Sequence, residues 1–295
     1  MKTLYLNFAV LLLVFACQNV MAQDELLIDS LAKTGKKTTL KGSINFISNN
    51  VFYGRADTTT TPIVIPQLKV TFKNGMYLSS SFYFLPNSAS QQIDGGNTVA
   101  GYNFDLTDNL SGSFSFTKLF YSSASTQIGS SVSSTISGGL DYDIAGIVTP
   151  SIQAEYSFIK NGFGNDFLLN LGISHDFSKV GIFGSNDLGV ISPSIEANLG
   201  SQNFYDAYFV TKKYKITKKN LAKYPEVAKV LNKLNAFNLL DYEIALPIVY
   251  KTGPIIFAFT PTYAITENSL PSTILKRVPL NSDLFYFTLG VTYRF

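Results

Sequence analysis

Cysteine, histidine and tryptophan are almost missing from this chain, whose 295 residues include one Cys, one His and no Trp. A single cysteine excludes a disulfide scaffold, and one Cys with one His excludes a Cys/His zinc cluster. We therefore expect neither a metal site nor a cofactor. Charged residues are also scarce, at 15% of the sequence, against about 25% in typical globular domains. A net charge of +3 is too small for a general nucleic-acid-binding surface.

The N-terminus has the pattern of an export signal. Lys2 supplies positive charge, an apolar stretch runs from Leu4 to Ala16, and small residues for cleavage end at Ala22. We predict a signal peptide over residues 1–22, a periplasmic segment over 23–38 and one domain over 39–295. The alternative is lipidation of Cys17, although Phe15 is bulky where lipoprotein signals usually have a small residue.

After residue 22, no run of 18 uncharged apolar residues remains, so the sequence offers no transmembrane helix. Apolar residues instead alternate with polar ones, which is typical of a sheet with two chemically different faces. The last segment shows this pattern, with Phe285, Phe287, Leu289, Val291, Tyr293 and Phe295 on one face. The same period recurs in the segments from Leu240 to Tyr250 and from Phe167 to Phe177.

About twelve such segments follow one another, and their connections alternate in length. The segments lie near 39–53, 61–72, 76–85, 97–106, 110–121, 132–142, 147–159, 166–177, 188–200, 239–250, 254–266 and 283–295. Tight turns at 73–75, 107–109, 143–146 and 251–253 follow even-numbered segments, and longer links follow the odd ones. This asymmetry predicts an all-β, antiparallel up-and-down barrel in the bacterial outer membrane, with its short turns in the periplasm. The connection over 178–187 is too long for that side.

A soluble β-sandwich is the alternative fold, because one face of a sandwich sheet also packs on a core. Its outer face would carry many Lys and Glu side chains. Here the polar face consists mainly of Ser, Thr, Asn, Gln, Gly and Tyr, as in the alternating run from Tyr77 to Tyr83. Such a face suits a wet or hydrogen-bonded lumen, so the composition favours the barrel.

The region over about residues 39–295 resembles the TorF-type family of small outer-membrane porins. The similarity lies in the stretch 48–55, Ser-Asn-Asn-Val-Phe-Tyr-Gly-Arg, and in Ile-Ser-Pro-Ser-Ile at 191–195, which leads to Leu-Gly-Ser at 199–201. The family tends to have an aromatic residue followed by Arg-Gly, whereas here Gly54 precedes Arg55, so no role is transferred to this pair. The resemblance implies passive transport or an envelope role, without catalytic residues.

The polar face supplies candidates for a pore lining of mixed charge. They are Lys69, Gln153, Glu155, Glu196, Asn198, Glu243, Tyr286 and Arg294. A Ser/His hydrolase would need His175, but this histidine is in phase with the apolar face near the periplasmic end of its strand. We therefore predict a porin-like channel for small solutes rather than an enzyme. The alternatives are a non-conducting envelope protein that binds a partner or lipid through its loops, and a lumen closed by a plug.

A basic insertion near residues 211–238 separates the ninth and tenth segments. Apolar residues from Leu221 to Phe237 approximate helical spacing and predict one short amphipathic helix in an extracellular loop. Its basic face is a candidate for contact with lipopolysaccharide phosphates or a partner, and a solvated loop helix is the alternative. Folded back over the pore, it would lie above Glu196 and Glu243. The candidate contacts are Lys212, Lys213, Lys215, Lys218 and Lys219.

The chain ends in an alternating aromatic strand, in which Tyr293 and Phe295 resemble the signal that the outer-membrane barrel assembly machinery recognises. A strand that simply ends in Phe is the alternative. Aromatic pairs near other strand ends, such as Phe52-Tyr53 and Phe120-Tyr121, are candidates for interfacial girdles.

Overall fold

A computed structural model describes most of the region after the predicted signal. The described residues are 37–56, 60–87, 92–125, 127–207, 215–217, 219–225, 231, 235–267 and 283–295. The predicted signal peptide with Cys17, residues 23–36 of the predicted periplasmic segment, and Lys212, Lys213 and Lys218 lie outside these residues.

Strands dominate the described chain. They are β1 (Thr39–Ile47), β2 (Ile63–Thr71), β3 (Met76–Phe84), β4 (Ile93–Thr107), β5 (Leu110–Tyr121), β6 (Val132–Tyr142), β7 (Thr149–Ile159), β8 (Asp166–Ser174), β9 (Phe177–Val180), β10 (Leu188–Ile191), β11 (Ser194–Gly200), β12 (Asn238–Ala245), β13 (Ile248–Thr252), β14 (Ile255–Thr266) and β15 (Asp283–Arg294). A 3-10 turn η1 (Ile128–Ser131), a short helix α1 (Asn203–Asp206) and a second 3-10 turn η2 (Leu221–Lys223) lie in the connections.

The strands form one closed antiparallel barrel. Each strand pairs with its neighbour, and β1 pairs with β15, with Lys41 opposite Arg294 and Ile47 opposite Thr288. Three of the barrel strands are each divided by a bend, into β8 and β9, β10 and β11, and β12 and β13. Pro193 and Pro247 lie in the last two bends, where proline lacks the N–H group that a ladder requires. The barrel therefore has 12 strands. This confirms the predicted fold and excludes the sandwich, which would leave free edges.

One connection differs from the sequence-based interpretation. The stretch 178–187 is not simply a long loop, because β9 and β10 pair with each other and extend the hairpin of β8 and β11. The remaining turn runs from Gly181 to Asp187, where the backbone N–H of Gly181 donates to the carbonyl of Asp187. An extended hairpin thus explains a connection that is unusually long for the periplasmic side.

The two ends of the barrel differ in their connections. Short turns join β2 to β3, β4 to β5, β6 to β7 and β13 to β14, at the end that holds Thr39 and Phe295. Longer connections leave β1, β3, β5, β11 and β14 at the opposite end. In outer-membrane barrels the short turns face the periplasm, so the long loops are extracellular.

The outer wall of the barrel is apolar and the inner wall is polar. In β15, Phe285 is 64% exposed and Val291 is 48% exposed, whereas Thr288 and Thr292 are 6% and 7% exposed. The exposed apolar side chains form the surface that lipid contacts, as expected for a barrel in the outer membrane. No helix in the described ranges has the length and apolar character needed to cross a bilayer.

The alternation of inward and outward side chains is broken once on β12, at Leu240. We expected Leu240 to lie on the same face as Tyr242 and Ile244. Instead Leu240 is fully buried, while Tyr242 and Ile244 are exposed. The cause is an irregularity opposite β11, where Asn198 pairs with Asp241 but the next residue, Leu199, pairs with Leu239. A bulge of this kind adds one residue to one strand and shifts the alternation.

Candidate functional site

The lumen is the candidate functional site, and small hydroxyl side chains form much of its wall. Buried Ser and Thr residues occupy inward positions of five strands, β3, β5, β6, β14 and β15, at Ser79, Ser81, Ser115, Thr117, Thr135, Ser137, Thr260, Thr262, Thr288 and Thr292. Hydroxyl groups both donate and accept hydrogen bonds. The wall therefore offers uncharged hydrogen-bonding groups along much of its inner face.

Each of the eight residues suggested as pore lining has a defined position. Lys69, Gln153, Glu155, Asn198, Glu243 and Tyr286 are buried inside the barrel, at 9% exposure or less. Glu196 and Arg294 are half-buried. The carboxylate of Glu155 accepts a hydrogen bond from the hydroxyl of Ser157 on the same strand. Gln153 and Glu155 lie apart on β7, and the other charged residues fall into two groups of opposite charge.

The acidic group lies on β11 and β12. Glu196 is directly opposite Glu243, and Asn198 is opposite Asp241. The amide of Asn170 donates hydrogen bonds to Glu196 Oε2 at 2.7 Å and to Asn198 Oδ1 at 2.9 Å. The hydroxyl of Tyr286 donates to Glu243 Oε2 at 3.3 Å. Amide and hydroxyl donors thus reach Glu196 and Glu243. We call Glu196, Asp241 and Glu243, which lie within one small region, the acidic cluster.

The basic group lies at the periplasmic end of the lumen. Lys41 on β1 is directly opposite Lys69 on β2 and Arg294 on β15. The ammonium of Lys69 lies 5.2 Å from the ring centroid of Tyr77, a cation–π distance. We call Lys41, Lys69 and Arg294 the basic row. The acidic cluster is nearer the extracellular end, since Asp241 pairs with Thr266, the last residue of β14.

Apolar side chains fill the extracellular end of the barrel. Loop residues pack there against the inward strand residues Leu119, Val132, Leu168 and Leu240. We call this loop cluster the plug; it comprises Phe52, Tyr53, Ile128, Phe204, Tyr205, Ile216 and Leu231. The rings of Phe52 and Phe204 meet edge to face with their centroids 4.8 Å apart. Phe52-Tyr53 is therefore part of the plug, and its assignment to an interfacial girdle was wrong.

Buried polar groups hold the plug in place. Arg55 donates from Nε to Gln202 Oε1 at 3.0 Å and from Nη2 to the carbonyl of Glu267 at 2.9 Å. Gly54, at a φ of 65°, packs so tightly that an added Cβ would lie 2.6 Å from the carboxylate of Asp241. The region of the first loop therefore contacts the acidic cluster directly.

Two further carboxylates anchor other loops. Asp166 accepts hydrogen bonds of 2.7 Å from the backbone N–H groups of both Asn203 and Phe204, which fixes helix α1. Asp94 Oδ2 accepts from Ser125 Oγ at 2.5 Å and from Gln127 Nε2 at 2.6 Å, just before η1. Three separate loops are thus tied to the top of the barrel by charged side chains.

Sequence reasoning missed several of these groups. Arg55 was set aside because it does not fit the family pattern, and Asp94, Asp166 and Asp241 were not singled out. Each of these acids lies at or near the extracellular end of a strand and is 0% or 1% exposed. An acidic residue at the loop end of a strand is therefore the signal that a sequence offers for such an anchor.

The basic insertion is described only in part. Lys215 and Lys219 are exposed, whereas Ile216 between them is buried in the plug. Within the predicted helical loop near 211–238, the described residues include the 3-10 turn η2. The described short α-helix, α1, lies just before this region. The insertion therefore contributes apolar anchors to the plug and exposes at least two lysines.

The structure places His175 between β8 and β9, on the periplasmic side of the barrel. It lies half-buried at the bend between β8 and β9, with its ring centroid 4.2 Å from that of Phe177, which is 59% exposed. In the described part of the chain, no three His, Cys, Asp or Glu side chains are placed to hold a metal ion.

No family model matches the chain, and no curated protein matches it. Similar barrels occur among solved structures. A KdgM porin has 11% sequence identity and a TM-score of 0.49, over 86% of this chain and 98% of that one. A NanC porin has 14% identity and a TM-score of 0.44, over 86% and 98%. LpxR from Salmonella typhimurium has 11% identity and a TM-score of 0.44, over 86% and 99%. The fold assignment itself rests on the strand pairing of this chain.

Proposed function

We propose that the protein is a porin-like channel of the outer membrane for the passive passage of small polar solutes. The observation that carries this proposal is the polar wall beneath the plug, with the acidic cluster above the basic row. A structural core would be filled with apolar side chains at these positions, whereas hydroxyl, amide and charged groups suit a wet interior. The resemblance to the TorF-type porins supports the same proposal.

In this proposal the plug is the closed state of the extracellular mouth. Its loops are attached by side-chain hydrogen bonds of Arg55, Asp94 and Asp166, and a few bonds of this kind can be broken and formed again. Opening would require movement of the loops that bear Phe52 and Phe204, which meet inside the barrel. Solutes would then reach the acidic cluster first and the basic row second.

The second candidate is a non-conducting envelope protein, and the plug is the observation that favours it. In this case the barrel would anchor the loops, and the exposed lysines of the basic insertion would bind a partner or lipopolysaccharide phosphates. Lys215 and Lys219, both exposed, would contribute to that surface together with Lys212, Lys213 and Lys218. An enzymatic role is not part of either proposal, given the position of His175 beside Phe177.

Planar-bilayer recording separates the two candidates. The purified protein is compared with Phe204→Ala, which removes a fully buried ring from the centre of the plug, and with Phe72→Ala, a control at the exposed periplasmic end of β2. A channel closed by its plug gives rare conductance steps in the unmodified protein and frequent steps in Phe204→Ala alone. Silence of all three proteins, each verified as a folded barrel by its heat-modifiable migration on a gel, would support the non-conducting candidate.

A further inference from the structure

A row of polar side chains crosses the outer wall of the barrel, where apolar residues are expected. Ser80 on β3 is opposite Thr98 on β4, Thr98 is opposite Lys118 on β5, and Lys118 is opposite Ser134 on β6. These residues face outward, because their neighbours in sequence, such as Thr117 and Leu119, are buried inside the barrel. We call Ser80, Thr98, Lys118 and Ser134 the outer polar row.

The surroundings of this row are those of a lipid-facing wall. On the same strands, the adjacent outward positions carry Leu78, Phe82, Phe116 and Phe120, which are between 43% and 55% exposed. A lysine among such residues is costly unless its ammonium reaches the headgroup region or an anionic partner. No hydrogen bond or ion pair joins the side-chain ammonium of Lys118 to another described residue.

Lys118 lies at the depth of the outer leaflet. It is three residues before Tyr121, which ends β5 at the extracellular side. Three residues correspond to about 10 Å along a strand, and strand tilt reduces the depth further. A lysine side chain that extends along the wall carries its ammonium over most of the remaining depth, towards the level at which the headgroups of outer-leaflet lipids begin.

A groove of about 540 Å³ borders the row on its extracellular side. Its outward lining includes Phe82, Ile93, Gly96, Thr98 and Phe120. The groove passes over Gly96, which lies between Phe82 and Phe120 in the strand register and carries no side chain. The exposed rings of Phe82 and Phe120 on either side make the groove apolar, so that it suits a hydrocarbon chain.

We propose that the outer polar row and this groove form a binding site for one phosphate-bearing lipid of the outer leaflet. The phosphate would pair with the ammonium of Lys118, the hydroxyls of Thr98 and Ser134 would lie beside its polar head, and one acyl chain would occupy the groove over Gly96. Charge complementarity and the lipid-facing position both select this occupant. The site is on the outer wall and is independent of whether the lumen conducts.

Binding is measured by native mass spectrometry of the full-length protein in nonionic detergent with bisphosphorylated lipid A. We expect Lys118→Gln to weaken binding about fivefold, as for one cation near an anionic headgroup. Dephosphorylated lipid A should bind both proteins with the same reduced affinity. Lys73→Gln, in the β2–β3 turn on the periplasmic side, is the control and should bind like the unmodified protein. Equal affinity of Lys118→Gln and the unmodified protein would overturn the proposal, as would an equal loss in the control.

The acyl-chain contact has its own test, with lipid A that carries a photoactivatable group on an acyl chain. We expect crosslinks to peptides containing Phe82, Ile93 or Phe120, and their loss in Thr98→Phe, which places a ring in the groove. Crosslinks spread evenly around the barrel would contradict a defined groove. Displacement of the lipid by millimolar inorganic phosphate would indicate a simple anion site, and this result would also overturn the proposal.

Discussion

Arg55 and Gln202 join two extracellular loops through a buried hydrogen bond of 3.0 Å. Arg55 belongs to the connection after β1, and Gln202 lies directly before helix α1 in the connection after β11. The same guanidinium also donates to the carbonyl of Leu240 at 3.4 Å and to that of Glu267 at 2.9 Å. One side chain therefore links three separate parts of the extracellular end.

The first prediction is that Arg55→Ala loosens the plug. The substitution leaves the buried Gln202 side chain and the carbonyl of Glu267 without this donor. Each buried acceptor left without a donor destabilises the folded state by about 1–3 kcal/mol. We expect faster hydrogen exchange in residues 52–55 and 202–207, and more frequent conductance steps in planar bilayers. Exchange far from the plug, as in the periplasmic half of β3, should not change.

Arg55→Lys and Lys73→Ala are the matched variants for this test. Lysine keeps the positive charge but not the guanidinium geometry, so Arg55→Lys should give an intermediate rate of exchange. Lys73 lies in the periplasmic turn after β2, and its removal should have no effect on the plug. If Arg55→Ala exchanges and conducts like the unmodified protein, Arg55 does not hold the mouth closed.

Sequence patterns predicted the wall of this barrel well but not its plug. Alternation depends on local strand geometry, so segments such as β15, with Phe285 outward and Tyr286 inward, were readable from the sequence. The plug depends on contacts between residues that are far apart in sequence, such as Phe52 and Phe204. The alternation of residues along one strand carries no information about such contacts. The phase of Leu240 was also misjudged, because the bulge opposite Leu199 is set by pairing between strands.

The second prediction concerns ion selectivity in the opened channel, and it rests on the proposed function. In an Arg55→Ala background, Glu196→Gln with Glu243→Gln should lower the cation-to-anion permeability ratio, because it removes two carboxyl groups that ionise when water enters the opened lumen. Lys41→Gln with Lys69→Gln should raise it. A unit charge about 8 Å from a permeating ion in water changes its energy by about 0.5 kcal/mol, or roughly twofold per charge.

The reversal potential in a salt gradient measures this ratio. Ser79→Ala, an uncharged change on the lumen wall, serves as the control. Shifts of the same sign in the two double variants would contradict the assignment of opposite charges to the two sites. The shifts should also shrink as salt rises, because mobile ions screen charges over about 8 Å at physiological ionic strength.

The third prediction concerns Asp187 in the periplasmic hairpin turn. Desolvation acts to raise its pKa, but hydrogen bonds from the Tyr250 hydroxyl and the N–H groups of Phe183, Ile182 and Gly184 outweigh it and lower the pKa to about 2, from an ordinary value of 3.8. A pKa lowered by folding means that the carboxylate stabilises the turn above pH 3.8. This stabilisation is lost as the pH falls through about 2.

Nuclear magnetic resonance titration in nonionic detergent tests this prediction. The amide signals of Ile182, Phe183 and Gly184 should titrate with a midpoint near pH 2. Asp187→Asn should abolish the titration and speed exchange of these amides about tenfold, as expected for loss of a charge-assisted hydrogen bond. Asp108→Asn, in the turn after β4, should leave these signals unchanged. A midpoint near 3.8, the ordinary value, would show that the turn does not stabilise the carboxylate.

The fourth prediction separates assembly of the barrel from its stability at Phe295. This terminal ring is 72% exposed, and its backbone N–H donates to the carbonyl of Leu40 at 2.9 Å across the seam between β15 and β1. Phe295→Ser keeps this backbone bond, so refolding of the purified chain into detergent should be unchanged.

In cells, the amount of the heat-modifiable form in the outer membrane should fall several-fold if the assembly machinery recognises the terminal aromatic ring. Phe72→Ser is the control, because Phe72 is also exposed, at 46%, at the periplasmic end, and it should assemble normally. An equal fall in both variants would show that apolar surface at the membrane edge is what matters, and unchanged assembly of Phe295→Ser would remove the ring from the recognition signal.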